Sequence, residues 1–214
     1  MGLDLVVEGC AKPGHEPEWL RFVQRSFAEE QLSEQEVARF QDISIPGYER
    51  LGAPRVGFDS KADAWILKAR KVESTEARAA VLKEFHGYHV LRLVPCDGIP
   101  EYSNASAYDG VDETSFRGAF LRDCRDVLDK RLLDDAWNSK LPEAAVSYGR
   151  ALLDAADAAE GGVRAPKSRT LLQRIGITRE HPTIPIAEQI SIVRAAGRWF
   201  VFWGERGHPI RAWF

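Results

Sequence analysis

The segment that most limits how this chain can fold covers residues 189–214, QISIVRAAGRWFVFWGERGHPIRAWF, which is rich in aromatic and β-branched side chains. Such residues favour strands, and Ala196-Gly197 and Glu205-Arg206-Gly207 are typical of the turns between them. We therefore predict a three-stranded antiparallel meander. Every position of its central strand, residues 199–203, is aromatic or β-branched, so both faces require cover from helices, other strands or a partner.

Two further strands are predicted upstream of the meander. Residues 3–8, LDLVVE, are apolar and β-branched and are followed by Gly9, which is typical of a strand near the start of the chain. Residues 88–94, YHVLRLV, are apolar on both faces except at Arg92, and Pro95 ends the run, so we predict an interior strand. Residues 45–57 contain two prolines and three glycines, which predicts a loop.

Helical spacing of apolar residues, together with capping residues, predicts helices between the strands. Ser33 and Glu36 form a capping-box pair, and Asp112 or Thr114 is the expected N-cap of a helix whose apolar stripe begins at Phe116. The other predicted helices carry Trp19, Phe22, Val23 and Phe27; Ala77, Val81 and Phe85, ending near Gly87; Leu132, Leu133, Ala136 and Trp137; and Ala145, Tyr148, Leu152, Ala155 and Ala159. The predicted fold is a single α+β domain over residues 1–214, with a mixed or antiparallel sheet that includes the C-terminal meander and is packed by several helices.

Length and charge exclude several classes of partner. A chain of 214 residues buries roughly 70% of its unfolded surface, so its core needs neither a metal nor a disulfide. The net charge of −3 provides no overall positive field for nucleic acid or an anionic bilayer, and no run approaches the ~20 apolar residues that span a membrane. We expect no nucleic-acid and no membrane partner. The local basic run is interpreted as the solvated side of an amphipathic helix; it comprises Arg164, Lys167, Arg169, Arg174 and Arg179.

Cysteine usage indicates a cytoplasmic protein. Cys10, Cys96 and Cys124 are odd in number and show no CxxC spacing, which favours a reducing compartment. The 21 Arg against 8 Lys fit a GC-rich bacterial source.

A polar loop over residues 95–115 is the strongest candidate site, because an ordered loop of this length is often functional. Its carboxylates, hydroxyls and amide, together with an arginine one turn into the predicted helix, are suited to hold a polar ligand beside the helix N-terminus. The candidate ligand-binding residues are Glu101, Tyr102, Asn104, Asp109, Asp112, Ser115 and Arg117. The leading prediction is a cytosolic binding or interaction module for a protein or a polar small molecule.

Two alternatives to that prediction remain open. In the first, the enzyme alternative, Glu101, Asp109 or Asp112 serve as acid and base of a hydrolase, with Arg117 holding an anionic group. In the second, the loop is a solvated connection whose polar side chains bond their own backbone in turns.

No metal or cofactor is predicted. His86 and His89 lie on either side of the predicted helix end at Gly87, so their spacing does not favour a zinc pair. Cys10 follows a strand as in cysteine phosphatases, but the arginine those enzymes need six residues later is Glu16 here. The GxSxG, GxxxxGK[ST], GxGxxG and HExxH motifs are absent.

The aromatic residues near the C-terminus divide into two predicted groups. Trp199, Phe200, Phe202 and Trp203 are expected in the core. Trp213 and Phe214 are expected to be exposed and to anchor a partner, with a homodimer as one form that the partner can take.

Overall fold

The computed structural model describes residues 2–94, 114–162 and 184–214. The strands are β1 (Asp4–Val7), β2 (Cys10–Ala11), β3 (Ser44–Ile45), β4 (Ser115–Phe116) and β5 (Ile210–Trp213). The helices are α1 (Glu16–Phe27), α2 (Glu34–Asp42), α3 (Gly47–Arg50), α4 (Ser60–Ala69), α5 (Thr75–Glu84), α6 (Ala119–Arg122), α7 (Lys130–Asp135), α8 (Pro142–Glu160) and α9 (Ile186–Glu205). The predicted α+β class is confirmed.

The larger sheet is antiparallel and has the strand order β4-β1-β5, so it joins the two ends of the chain. Leu5 of β1 lies opposite Phe116 on one side and Ala212 on the other. Strands β2 and β3 form a separate antiparallel pair. The strand predicted over residues 3–8 is confirmed as β1, and its inward residues Leu5 and Val7 are buried in the main core.

Two long helices packed on each other, α8 and α9, cover the inner face of this sheet. The Trp199 ring of α9 lies 5.7 Å from the Phe116 ring of β4, centroid to centroid, and both side chains are fully buried. The two helices approach closely, because a Cβ placed on Gly149 of α8 would lie 2.7 Å from the carbonyl oxygen of Gly197 in α9. Glycine at both positions therefore permits backbone-to-backbone packing.

The meander predicted over residues 189–214 is wrong, since most of this segment is helix α9 and only β5 is a strand. The buried positions of α9 recur with a helical period: Ile192, Val193, Ala196, Trp199, Phe200 and Trp203. Ala196-Gly197, interpreted as a turn, is instead the small surface on which α8 packs. Tertiary packing has overridden the strand propensity of the individual residues.

The interior strand predicted over residues 88–94 is also wrong. His89 makes one isolated antiparallel bridge to Arg55, and Leu91–Leu93 form a 3-10 turn. Val90 and Leu91 are nevertheless fully buried. The run is apolar because it contributes to a small core beneath α4 and α5. The segment opposite to it, which contains Pro54, is a loop rather than a strand, so the two segments do not continue as a β-ladder.

The long helix predicted from Phe116 onward is replaced by β4, the four-residue α6 and a series of turns. Phe116 pairs with Leu5 in the sheet, so the backbone at this position is extended rather than helical. The loop predicted over residues 45–57 contains the short helix α3, and α4 occupies a region that the sequence left unassigned.

The remaining helix predictions are confirmed by α1, α2, α5, α7 and α8. At α2 the Ser33 hydroxyl accepts from the Glu36 amide, and the Glu36 carboxylate accepts from the Ser33 amide at 2.9 Å. Gly87, predicted to end α5 in a left-handed conformation, has φ of +92°.

Candidate functional site

Most of the predicted polar loop lies outside the residues that the structure describes. This applies to Glu101, Tyr102, Asn104, Asp109 and Asp112, and also to the basic run over residues 164–179. The roles predicted for these residues therefore stay predictions.

Ser115 and Arg117 are the two predicted site residues that the structure describes. Ser115 lies half-buried in β4 opposite Val6, and Arg117 is exposed just after that strand. The Arg117 guanidinium lies 5.9 Å from the centre of the Phe120 ring. The helix N-terminus predicted beside them is wrong, because α6 has only four residues and no side-chain cap. Helix α6, the described helix that follows Arg117, is therefore too short to support a ligand with its dipole.

The two histidines considered for a zinc pair make separate contacts. The His86 ring packs 5.1 Å from the Phe58 ring, whereas His89 stacks on Tyr48 at 4.4 Å and its Nδ1 lies 3.1 Å from the carbonyl oxygen of Ala53. Within residues 2–94, 114–162 and 184–214, no three His, Cys, Asp or Glu side chains are placed to hold a metal ion. The histidine contacts are accordingly those of packing residues.

Cys10 is a buried thiol in β2. Burial raises the pKa of this thiol, while the nearby Arg50 guanidinium acts in the opposite direction. The net effect keeps the sulfur protonated at neutral pH, and a protonated thiol is a poor nucleophile.

Three exposed aromatic side chains lie at the end of β5 and on the segment that covers its edge, and we refer to them together as the aromatic surface. They are Trp137, Trp213 and Phe214, whose exposed fractions are 36%, 66% and 61%. The Trp137 and Phe214 rings meet edge to face at 5.4 Å between centroids. The exposure predicted for Trp213 and Phe214 is thus confirmed, as is the burial of Trp199, Phe200 and Trp203, whereas Phe202 is only partly buried.

Strand β5 positions Trp213, and the outer edge of β5 is already covered. Ile210 exchanges two backbone hydrogen bonds with Lys140, at 2.7 and 2.8 Å, and the Ala212 amide donates to the Ser139 hydroxyl at 3.1 Å. An edge whose backbone groups are satisfied is a poor template for an added strand. The surface therefore offers side chains rather than backbone to a partner.

Lys140 fixes the segment that covers β5. Its side chain is only 4% exposed, and its ammonium group donates to the carbonyl oxygens of Asp135 and Asn138 and lies 3.3 Å from the Asp135 carboxylate. The ammonium also lies 4.3 Å from the centre of the Tyr148 ring. Burial lowers the pKa of Lys140, with Asp135 opposing that effect. Trp137 of the aromatic surface is consequently held on a rigid turn.

His208 is a buried group that the sequence did not single out. It is 0% exposed, and its Nδ1 lies 2.8 Å from the carbonyl oxygen of Glu8 at the end of β1. Its Nε2 has no hydrogen-bond partner among the described residues, and its ring meets the Trp203 ring at 89°. Burial lowers the pKa of His208 to about 4; the hydrogen bond to the Glu8 carbonyl opposes this effect, while Arg50 and Arg206 add to it. The sequence signal for this buried group was only a histidine next to a proline in an apolar segment. The residues that surround His208 come from distant parts of the chain.

No helix in the described part of the chain combines the length and the apolar character needed to cross a membrane. Comparisons with protein-family models, with curated proteins and with solved structures found no match for this chain.

Proposed function

We propose that this protein is a binding module for another protein, and that the aromatic surface of Trp137, Trp213 and Phe214 anchors that partner. The observation that carries the proposal is the exposure of Trp213 and Phe214, 66% and 61%, on a strand that is otherwise well anchored. Tryptophan is enriched among the residues that dominate binding energy at protein interfaces. A rigid aromatic side chain also loses little conformational freedom on binding.

The size of the surface supports a role as the centre of a larger interface. Aromatic side chains bury ~150–250 Å² each, so these three expose on the order of 400 Å² together. The largest apolar patch on a typical monomer is ~300–600 Å² and is often functional. A standard interface buries ~800 Å² per partner, so polar contacts around the three rings supply the other half.

The polar loop is retained in the proposal as the second binding element. Its neighbour Arg117 is exposed, and the structure pairs it with an aromatic ring rather than a carboxylate within the described residues. We place the module in a reducing cytoplasm, because Cys10 and Cys124 are buried free thiols.

The test uses a photo-crosslinking amino acid, benzoylphenylalanine, at position 213, with position 58 as the matched control. Phe58 is 65% exposed, which is nearly the exposure of Trp213, and its ring packs on His86 rather than on the residues of the aromatic surface. We expect a discrete adduct in extracts of the source cells from position 213 and none from position 58. The adduct identifies the protein that is then purified for titration.

The titration decides the proposal. We expect Trp213→Ala to weaken binding of the purified partner by about 30-fold or more, since truncation of a central anchor costs ~2 kcal/mol or more. Phe58→Ala should leave the affinity unchanged. Equal affinity of Trp213→Ala and the native protein refutes the proposal. A crosslinked dimer of the purified protein alone would also overturn it and assign the surface to self-association.

A further inference from the structure

A buried histidine links the end of helix α9 to strands β1 and β5. His208 lies between α9 and β5 in the sequence. Its amide donates to the Trp203 carbonyl at 3.1 Å, and the Glu8 amide donates to the carbonyl of the next residue, Pro209, at 2.9 Å. The imidazole itself bonds the Glu8 carbonyl through Nδ1. Because a carbonyl only accepts, Nδ1 carries the proton and the buried Nε2 is the unprotonated nitrogen.

The surroundings of His208 tolerate only the neutral ring. Among the described residues the Nε2 atom has no hydrogen-bond partner, so an added proton would be an unsatisfied donor in a fully buried site. The charged groups of the described residues that act on the ring are Arg50 from α3 and Arg206 from the end of α9, both positive.

Within the described residues, no free negative charge compensates a protonated ring. The Glu8 carboxylate is held by Arg211, and the thiol of Cys10, whose Cβ lies near Gly207, is neutral. Protonation therefore places a buried positive charge near two arginines without a counterion.

We propose that His208 is an acid-sensitive latch: its neutral ring holds β5 against β1, and its protonation releases β5 while the α8–α9 pair stays folded. Release frees the ring to reach water, where histidine regains its ordinary affinity for protons. Trp213 lies on β5, so release of β5 by acid would also displace Trp213 and weaken binding of the proposed partner. Only this effect on partner binding rests on the proposed function.

The direction of the pH effect follows from the two protonation states. The released form binds a proton with a pKa near 6.5, whereas the latched form does so near 4. The released form therefore holds more protons between these two pH values, and acid favours it. The protection of β5 amides should fall by about tenfold per pH unit as the pH decreases through this window.

Hydrogen exchange measured by mass spectrometry from pH 7 to pH 4.5, corrected for intrinsic exchange rates, tests the latch. We expect protection of residues 210–213 to fall with acid while that of α8 falls much less. His208→Gln replaces the imidazole with an uncharged amide that does not titrate, so its β5 protection should not depend on pH in this window. The control is His86→Gln, an exposed histidine, which should retain the native pH dependence.

A second variant avoids dependence on the folding of His208→Gln. Arg50 is exposed, and Arg50→Gln removes one of the two cations near the ring, so the pKa of His208 measured by NMR should rise and the pH dependence of β5 protection should weaken. The latch is overturned if His208 titrates near 6.5 in the native protein. It is equally overturned if β5 and α8 lose protection together, or if the pH dependence persists in His208→Gln.

Discussion

Replacing Gly149 by alanine tests the closest contact in the fold, the crossing of α8 and α9. A Cβ at this position would lie 2.7 Å from the Gly197 carbonyl oxygen, 2.8 Å from the Phe200 Cβ and 2.9 Å from the Val201 Cγ2. Ordinary contacts between such atoms are ~3.5–4.0 Å. The carbonyl and the Phe200 Cβ are fixed to the helix backbone, so side-chain rotation cannot relieve the overlap and the two helices must separate by roughly 1 Å.

Two opposing effects set the size of the change. Alanine is favoured over glycine inside a helix by ~1 kcal/mol. Against this, overpacking a core typically costs ~1–3 kcal/mol, and a gap of 0.5–1 Å forfeits about a quarter to a half of the dispersion energy of the contacts that it opens. The opened contacts include those of Tyr148 with Phe200, which now meet edge to face at 4.9 Å between centroids. We expect a net loss of ~2 kcal/mol, which corresponds to a Tm lower by about 4–8 °C.

Urea unfolding followed by circular dichroism and a thermal scan measure this loss. The matched control is Gly161→Ala, at the C-cap of α8, where the added Cβ would lie 3.4 Å from its nearest atom and φ is −69°. The control should be neutral or slightly stabilising, because alanine adopts that φ without strain. The reasoning fails if Gly149→Ala is as stable as the native protein, or if both substitutions lower stability equally.

Three further predictions concern stability and thiol chemistry. Lys140→Met should lower the free energy of unfolding by ~1–3 kcal/mol in urea, because it removes the hydrogen bonds that the buried ammonium group donates to the carbonyl oxygens of Asp135 and Asn138; an unchanged midpoint would contradict the anchoring role of Lys140. Ser33→Ala should cost ~1 kcal/mol through loss of the cap of α2, and equal stability would show that the cap contributes nothing. In a Cys96→Ser variant, Cys10 and Cys124 should react with a disulfide reagent at pH 8 only after unfolding, since burial raises both thiol pKa values, that of Cys124 to about 12. Fast reaction of the folded variant would refute this.

The helices that the sequence predicted correctly are those with local signals at their ends. Ser33 and Glu36 cap α2 with their own side chains, and Gly161-Gly162 follow α8 directly. Such signals involve only residues that are close in the sequence, so they can be recognised without knowledge of the fold. The apolar run at residues 88–94 had no such signal, and burial alone does not distinguish a strand from a packed loop.

Of the candidate site, the sequence predicted correctly only the exposure of the aromatic residues at positions 213 and 214. Trp213 and Phe214 were separated correctly from the buried aromatic residues upstream. His208 was missed because its environment is built by Glu8, some 200 positions away, and by Arg50. No local pattern reports that the Nε2 of a histidine will be enclosed without a partner.

The error at residues 189–214 explains the architecture of the sheet. Composition favours strands there, but the buried positions, from Ile192 to Trp203, recur at helical spacing, and the small residues Gly149 and Gly197 give that helix a close partner. Packing of α8 against the one apolar side of α9 stabilises the helix. A strand of the same residues would have two apolar faces, and both would have to be buried. Once α9 takes residues 186–205, only β5 is left to extend the sheet, and it can do so only beside β1. The turn between α9 and β5 must then lie against the end of β1, which is why His208 is buried at the junction of all three elements.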